Sequence, residues 1–204
     1  MRKLVINTFV TLDGVMQAPG GPEEDTSGGF THGGWSFGYW DDLMGQRMDA
    51  SVKKPFDLLL GRKTYEIFAA HWPRVSDDPM ADALNGATKH VVSTTLDRVD
   101  WQNSKLIRGN VPERIAELKK QDGPEIQVHG SQNLIQTLIR HDLIDELRLW
   151  IFPVVLGTGK RIFGEGAIPA GLKLVDSAVS TTGVVITRYE RAGEIRYGSF
   201  ALEE

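Results

Sequence analysis

The alternation of strand-like and helical segments is the feature of this sequence that most limits its fold. Up to residue 141, runs rich in Val, Ile and Leu are separated by segments whose apolar residues have helical spacing. Strands joined by helices pair in parallel, and the helices cover both faces of the sheet. The pattern predicts an α/β protein. Strands are predicted at 2–10, 56–60, 88–93, 104–108, 125–129, 145–156, 172–179 and 183–190, and helices at 40–52, 111–121 and 131–141.

The last third of the chain departs from this alternation. Its strand-like segments contain no helical pattern between them, and the stretch TTG at 181–183 is typical of a tight turn. We therefore expect these strands to complete a central, mostly parallel sheet in antiparallel orientation. Pro153 lies inside segment 145–156 and lacks an N–H group, which favours a bulge or a sheet edge at that point.

Composition excludes several classes of function. The 204 residues suit one domain, 1–204, and the net charge of −4 is spread over interspersed acidic and basic residues. Such a surface does not favour nucleic acid or membrane partners. Cysteine is absent and the five histidines lack ligand spacing, so no metal site is expected. The N-terminus is typical of a first strand rather than of a signal peptide, and a cytoplasmic location is expected.

Residues 17–39 form a long segment without periodicity, rich in glycine and interrupted by aromatic residues. Loops of this length in a compact domain are usually lids or binding loops, although disorder is an alternative. The aromatic residues at 30, 35, 37, 39 and, directly after the segment, 40 are too many for a solvated linker. We expect the loop to lie across a bound ligand.

The stretch DLLLGRKTYEIF, residues 57–68, places a glycine, two cations and a hydroxyl between a strand and a helix that begins near Thr64. A helix N-terminus offers unpaired N–H groups and a partial positive charge, and Arg62 and Lys63 add two full charges. This junction suits a phosphate. In the alternative interpretation, Thr64 only caps the helix and both cations face solvent.

Two further junctions repeat this chemistry. Strand 125–129 leads through Gly130 into a helix that Ser131 is placed to cap. In the stretch KHVVSTTL, residues 89–96, a third strand ends in three hydroxyl residues. In an open parallel sheet such junctions lie along the carboxyl edge, where ligands bind. Three phosphate-binding turns on one edge indicate a dinucleotide, although the fingerprints of a Rossmann turn and of a P-loop are both absent.

Four stretches together carry a family resemblance: TLDGV at 11–15, LLLGRKTYE at 58–66, VVST at 91–94 and VHGSQNLIQTLIRHDLIDELRLWIFPVVLGTGKRIF at 128–163. They resemble the dihydrofolate-reductase-like superfamily, and within it the reductase domain of riboflavin biosynthesis and its stand-alone relatives. The resemblance runs from about residue 2 to residue 191, and the long block is its most specific part. It implies a three-layer fold, with NADPH lying across the carboxyl edge of the sheet.

The resemblance also implies residue roles. Asp13, Asp41 or Asp42 would bind or protonate the substrate, although Asp41 and Asp42 equally suit helix caps. The relatives usually carry glycine where this chain has His129, and a side chain there could narrow the approach to the pyrophosphate. The cofactor-binding residues implied are Gly14 and Val15, with Asp13, at the nicotinamide, Gly61, Arg62, Lys63 and Thr64 at phosphates, Ser93 and Thr94 near the 2′-phosphate, and Gly130, Ser131 and Gln132 near the pyrophosphate.

The implied activity is that of an NADPH-dependent reductase similar to 5-amino-6-(5-phosphoribosylamino)uracil reductase, with hydride transfer to a pyrimidine or pterin-like heterocycle. A dihydrofolate reductase-type activity is one alternative. A non-catalytic NADP-binding protein on the same fold is another, because fold resemblance alone does not establish catalysis. Relatives often pair as homodimers through their C-terminal strands, and the apolar segment LRLWIFPVVL at 147–156 permits the same here.

Overall fold

The computed structural model describes residues 1–165 and 167–201, which form eight β-strands and five α-helices. Across this part of the chain, each helix is too short or too polar to span a lipid bilayer. Short 3-10 helices lie at Ser27–Gly29, Phe37–Tyr39 and Trp72–Arg74. The strands are β1 (Leu4–Thr11), β2 (Phe56–Gly61), β3 (Lys89–Val92), β4 (Ser104–Ile107), β5 (Glu125–Val128), β6 (Glu146–Phe152), β7 (Leu172–Val179) and β8 (Val185–Arg191), and the helices are α1 (Asp42–Ser51), α2 (Arg62–His71), α3 (Pro79–Gly86), α4 (Val111–Lys120) and α5 (Gln132–Arg140).

The eight strands form one sheet in the order β4-β3-β2-β5-β1-β6-β8-β7. Pairs among β1 to β6 are parallel, whereas β8 runs antiparallel to β6 and to β7. The predicted sheet, mostly parallel with antiparallel C-terminal strands, is confirmed. Parallel strands end at the same edge, so Gly61, Val92 and Val128 bring the chain to one rim of the sheet.

Helices pack on both faces of the sheet and produce the three layers expected. On one face, Ile115 of α4 and Ile135 of α5 lie fully buried in the same apolar cluster. On the other face, Tyr65 of α2 and Leu84 of α3 are buried against β2 and β3. Each large apolar side chain removed from water contributes about 1.5–3 kcal/mol. These clusters fix the helices whose N-termini point to the carboxyl edge.

Helix α3 is an element that the sequence analysis does not predict. Asp78 caps it by accepting N–H groups from Met80 and Ala81 at 2.8 and 3.0 Å, and Pro79 occupies the first helical position. An aspartate before a proline is a helix start signal. The helix is only 8 residues long, which leaves too few apolar positions for its periodicity to stand out.

Strand β6 is shorter than predicted and ends at Phe152, directly before Pro153. It lies between β1 and β8, in the interior of the sheet. The expectation of a bulge or an edge inside this strand is therefore wrong. The N–H groups of an interior strand donate hydrogen bonds to the neighbouring strands on both sides. Proline has no N–H to donate, so the strand ends before it.

The β7–β8 hairpin closes at the predicted turn, where Gly183 has a φ of 87° and donates its N–H to the carbonyl of Ser180 over 3.1 Å. Strand β7 forms one edge of the sheet. Its Leu174 and Val179 are 49% and 64% exposed. Because segment 147–156 contributes an interior strand, it offers no edge to a second copy of the chain. The strand free to pair at this end of the sheet is β7.

Candidate active site

A cleft of about 1640 Å³ runs along the carboxyl edge of the parallel strands. Pockets for a single small ligand typically have about 300–1,000 Å³, so this cleft has room for two ligands side by side. Residues after β2, β3 and β5 line it, which is the placement predicted for the three junctions. They are Gly61, Arg62, Lys63, Thr64, Ser93, Thr94, Gly130, Ser131 and Gln132.

Helix α2 begins at Arg62, two positions earlier than predicted, and Thr64 lies inside its first turn. Gly61 occupies the cap position and no side chain caps the helix. A Cβ atom at Gly61 would lie 2.7 Å from the Cβ and Oγ atoms of Ser131, which requires glycine there. The first-turn N–H groups of α2 are therefore without a side-chain cap at the rim of the cleft.

Ser131 precedes α5 with a φ of 71°, but its side chain does not cap that helix, and the prediction that it does is wrong. Its hydroxyl instead accepts the N–H of Gly61 at 2.8 Å and donates to Thr64 Oγ1 at 2.6 Å. Gly130, with a φ of 151°, lets the chain pass Thr64, since a Cβ there would lie 3.2 Å from Oγ1. The two predicted phosphate turns are thus joined into one structure.

The helices whose first turns line the cleft are not all capped alike, since Asp78 and Met80 at the start of α3 line it as well. Asp41 and Asp78 accept N–H groups at the starts of α1 and α3. In contrast, α2, α4 and α5 have no side-chain cap, and residues of their first turns line the cleft. Uncapped helix N-termini carry N–H donors and a partial positive charge that an anionic ligand can satisfy.

Arg62 is held beside the third junction. Its Nη1 donates to Thr95 Oγ1 and its Nε to Glu66 Oε1, both at 2.7 Å. Ser93 is buried and accepts the N–H groups of Thr95 and Leu96, so its hydroxyl shapes the turn that positions Thr95. The prediction missed Thr95, although the hydroxyl run after β3 was its signal.

Loop 17–39 is held to other residues of the cleft through Asp25. Lys160 Nζ binds Asp25 Oδ2 at 2.6 Å, and Lys63 Nζ lies 4.0 Å from Asp25 Oδ1. Burial raises the pKa of Asp25, but hydrogen bonds from Lys160 and Ser27 outweigh it and hold the pKa below its usual value. Neither Asp25 nor Lys160 was predicted, because they lie 135 positions apart. That the loop covers a ligand stays a prediction.

Asp13 lies outside the lining of the cleft. Its carboxylate accepts the Thr11 hydroxyl at 2.6 Å and the N–H groups of Gly157 and Leu156 at 2.9 and 3.2 Å, and pairs with Arg161. These hydrogen bonds, that of Thr11 above all, lower the pKa of Asp13 to about 2. The contacts favour a structural role, and a catalytic role for Asp13 stays a prediction without support from them.

Gly14 and Val15 also lie outside the lining of the cleft. Val15 is fully buried, and Gly14 has a φ of 79° in the turn that Asp13 organises. Asp41 caps α1 by accepting the N–H of Met44 at 2.9 Å and also binds Thr181, while Asp42 is exposed. These contacts lower the pKa of Asp41. They favour the capping interpretation of Asp41.

The remaining part of the cleft is aromatic. Phe9 of β1 contacts Trp40 edge-on, with ring centroids 5.9 Å apart, and Phe68, Trp72 and Met48 line the same cleft. Flat apolar walls suit a planar heterocycle, since aromatic rings stack and exclude water. Except for Trp72, these side chains belong to predicted strands and helices, where sequence patterns do not separate lining residues from core residues.

Comparison with known proteins identifies the family. Residues 2–186 match the family model described as the RibD C-terminal domain. The chain belongs to this family. The resemblance that the sequence motifs predict is thereby confirmed over nearly the whole chain.

Similar proteins extend this result. The uncharacterized protein YyaP of Bacillus subtilis is 31% identical over 201 residues, covering 94% of this chain and 96% of that protein. A putative riboflavin biosynthesis protein from Shewanella sp. PV-4 is similar in structure, with a TM-score of 0.68 at 23% identity over 94% of this chain and 99% of that one. Dihydrofolate reductase from Enterococcus faecalis complexed with NADP(H) and RAB-propyl gives a TM-score of 0.58 at 16% identity over 93% and 96%. These structures share the dihydrofolate-reductase-like fold.

Proposed function

We propose that this protein is an NADPH-dependent reductase that transfers a hydride to a pyrimidine or pterin-like substrate, as 5-amino-6-(5-phosphoribosylamino)uracil reductase does. The observation that carries the proposal is the joined pair of helix starts at Gly61 and Ser131. Both helices are uncapped at the cleft, and Arg62 and Lys63 add positive charge beside them. This is the chemistry that a dinucleotide phosphate requires.

The glycines at these turns fit such a cofactor. Gly61 and Gly130 let the two turns pack against each other, because a Cβ at Gly61 would press on Ser131 and one at Gly130 on Thr64. This packing places both helix starts at the cleft. Residues 61–64 and 130–132 would hold the phosphates, and Arg62 with Thr95 would contact the adenosine phosphate. When bound, NADPH supplies the hydride, and the protein contributes binding, orientation and exclusion of water.

The aromatic part of the cleft would hold the substrate. Its walls, formed by Phe9, Trp40 and Phe68, keep water from the reacting atoms and stack against a flat ring. The proposal assigns no proton transfer to Asp13 or Asp41, because both carboxylates are already hydrogen-bonded outside this part of the cleft. A homodimer, a cytoplasmic location and the absence of nucleic acid partners stay predictions.

Binding of NADPH and NADH tests the proposal directly. Each charge-assisted contact to the extra phosphate contributes about 1.5–3 kcal/mol, so NADPH should bind about ten- to a hundredfold more tightly. Equal affinities contradict the cofactor assignment. Turnover is then measured as loss of NADPH absorbance with reducible pyrimidines and with dihydrofolate. Tight NADPH binding without any turnover favours the non-catalytic alternative.

A further inference from the structure

His129 contributes a side chain to the cleft that the proposed cofactor site does not use. It lies at the end of β5, and its imidazole stacks on Phe56 at 6.2 Å with an interplanar angle of 23°. The edge of Phe68 contacts the same ring, with centroids 6.4 Å apart. The imidazole is therefore held in one plane between two aromatic side chains, one of which lines the aromatic part of the cleft.

A chain of hydrogen bonds reaches His129 from a half-buried ion pair. Arg148 donates from Nη1 and Nη2 to the two carboxylate oxygens of Glu125 at 2.7 and 2.8 Å. Gln127 Nε2 donates to Glu125 Oε1 at 2.6 Å, and Gln127 Oε1 lies 2.7 Å from His129 Nε2. Residues 125, 127 and 129 are two positions apart in an extended segment, so their side chains lie next to one another on the same face of the sheet.

The charge of Glu125 decides which way each hydrogen bond runs. Burial raises its pKa, but the hydrogen bonds and charge of Arg148 outweigh burial and hold the pKa below its usual value. An ionised carboxylate only accepts, so Gln127 must donate its amide N–H to Glu125 and turn its carbonyl oxygen to His129. His129 must then donate from Nε2.

The protonation state of His129 completes the assignment. Burial lowers its pKa to about 4, and the positive charge of Arg148 acts in the same direction. A neutral imidazole has one N–H, which Gln127 takes, so Nδ1 carries the lone pair and is an acceptor. Among residues 1–165 and 167–201, Ser104 Oγ is the one side-chain polar atom that is fully buried and has no hydrogen-bond partner. Nδ1 makes no hydrogen bond within that part of the chain and is not sealed from solvent, and His129 lines the cleft, so Nδ1 is accessible from it.

We propose that His129 recognises the substrate by accepting, at Nδ1, a hydrogen bond from an N–H group of the heterocycle or of its amino substituent. Gln127 and Glu125 are positioning residues that hold the required tautomer. The inference rests on the proposed function, which places a heterocycle in this part of the cleft. It adds a requirement, namely that the ligand presents a donor to His129. An aminopyrimidine or aminopterin ring meets that requirement, whereas a ring with acceptors alone does not.

Two matched probes test this requirement. 2,4-Diaminopyrimidine carries N–H donors, and 2,4-dimethoxypyrimidine places acceptors on the same ring positions. Calorimetric titration of the full chain should show the diamino compound binding about tenfold more tightly, the effect of one hydrogen bond that the other ring cannot form. His129→Phe keeps the ring stacking, loses the acceptor and should bring the two affinities to within about twofold.

Further variants separate recognition from structural support. His129→Asn returns an acceptor near the Nδ1 position and should restore part of the preference, which a merely structural role does not predict. Gln127→Met removes the oxygen that accepts the Nε2–H of His129, so the imidazole is no longer held in one tautomer. This variant should reduce the preference without abolishing it. His141→Phe alters an exposed histidine after α5 and should leave the preference intact. Thermal melting of each variant identifies any that fail to fold.

Several outcomes overturn the inference. They are equal binding of both probes by the unmodified protein, binding of neither, and a full preference in folded His129→Phe. NADPH affinity is measured separately on the same samples. A protein that prefers the diamino probe but binds no NADPH contradicts the proposed function while supporting the role of His129. A protein that binds NADPH but shows no probe preference supports the proposed cofactor and contradicts the role of His129.

Discussion

Ser131 Oγ lies 2.8 Å from the backbone nitrogen of Gly61, 70 positions earlier in the chain, and accepts its N–H. The same hydroxyl donates to Thr64. One side chain therefore couples the turn after β2 to the turn after β5, and it sets the spacing between two helix N-termini. Under the proposed function, that spacing would determine which pairs of cofactor phosphate groups the edge of the sheet binds.

Replacement of Ser131 by alanine should destabilise the protein and weaken NADPH binding together. The buried N–H of Gly61 loses its partner, which costs about 1–3 kcal/mol. Thr64→Val is the matched control, since it removes only the bond between the two hydroxyls and should cost about 0.5–1.5 kcal/mol. Urea unfolding measures both variants. Equal stability of Ser131→Ala and the unmodified protein would show that this bond does not tie the turns together.

Replacement of Arg62 by alanine should remove most of the preference for NADPH over NADH. The guanidinium lies beside Thr95, and its loss removes a charge-assisted contact that only the extra phosphate receives, an effect of about ten- to a hundredfold. NADH affinity should change little. Arg140→Ala, at the far end of α5, is the control and should retain the preference. A preference that survives in Arg62→Ala would place the phosphate elsewhere.

Asp13 should make the protein sensitive to acid. Its pKa is about 2 in the folded protein against an ordinary value of 3.8, so its ionised form stabilises the fold above that ordinary value. This contribution disappears as the pH falls from 3.8 towards about 2. Asp13→Asn should be less stable at neutral pH and should lack this part of the pH dependence. Urea unfolding across the acidic range measures both, and an identical pH slope in the variant would contradict the assignment.

The exposed strand β7 should mediate any pairing between two copies of the chain. An unpaired edge strand with apolar side chains favours association. Light scattering should report a dimer for the unmodified protein and a monomer for Leu174→Asp, which places a charge on that edge. Val155→Asp changes a residue that is 66% exposed and lies outside the strand, so it should remain dimeric. A monomeric unmodified protein excludes the dimer.

Several features of the fold and of the site followed from local sequence patterns. The strand and helix periodicities were sufficient for the mixed sheet, because side-chain burial repeats every two residues in a strand and every three to four in a helix. The glycine, hydroxyl and cationic residues around positions 61–64 and 130–132 marked the junctions. Parallel strands then had to bring those junctions to one edge.

Other features depended on residues that are far apart in sequence. Nothing adjacent to Ser131 indicates that its hydroxyl faces Gly61 rather than its own helix, and nothing beside Asp13 indicates the N–H groups of residues 156 and 157 that occupy its carboxylate. The tautomer of His129 likewise depends on Arg148, which belongs to another strand. Hydrogen-bond partners are chosen by distance in space, so local patterns determined the elements of this protein, and only their packing decided the role of each polar side chain.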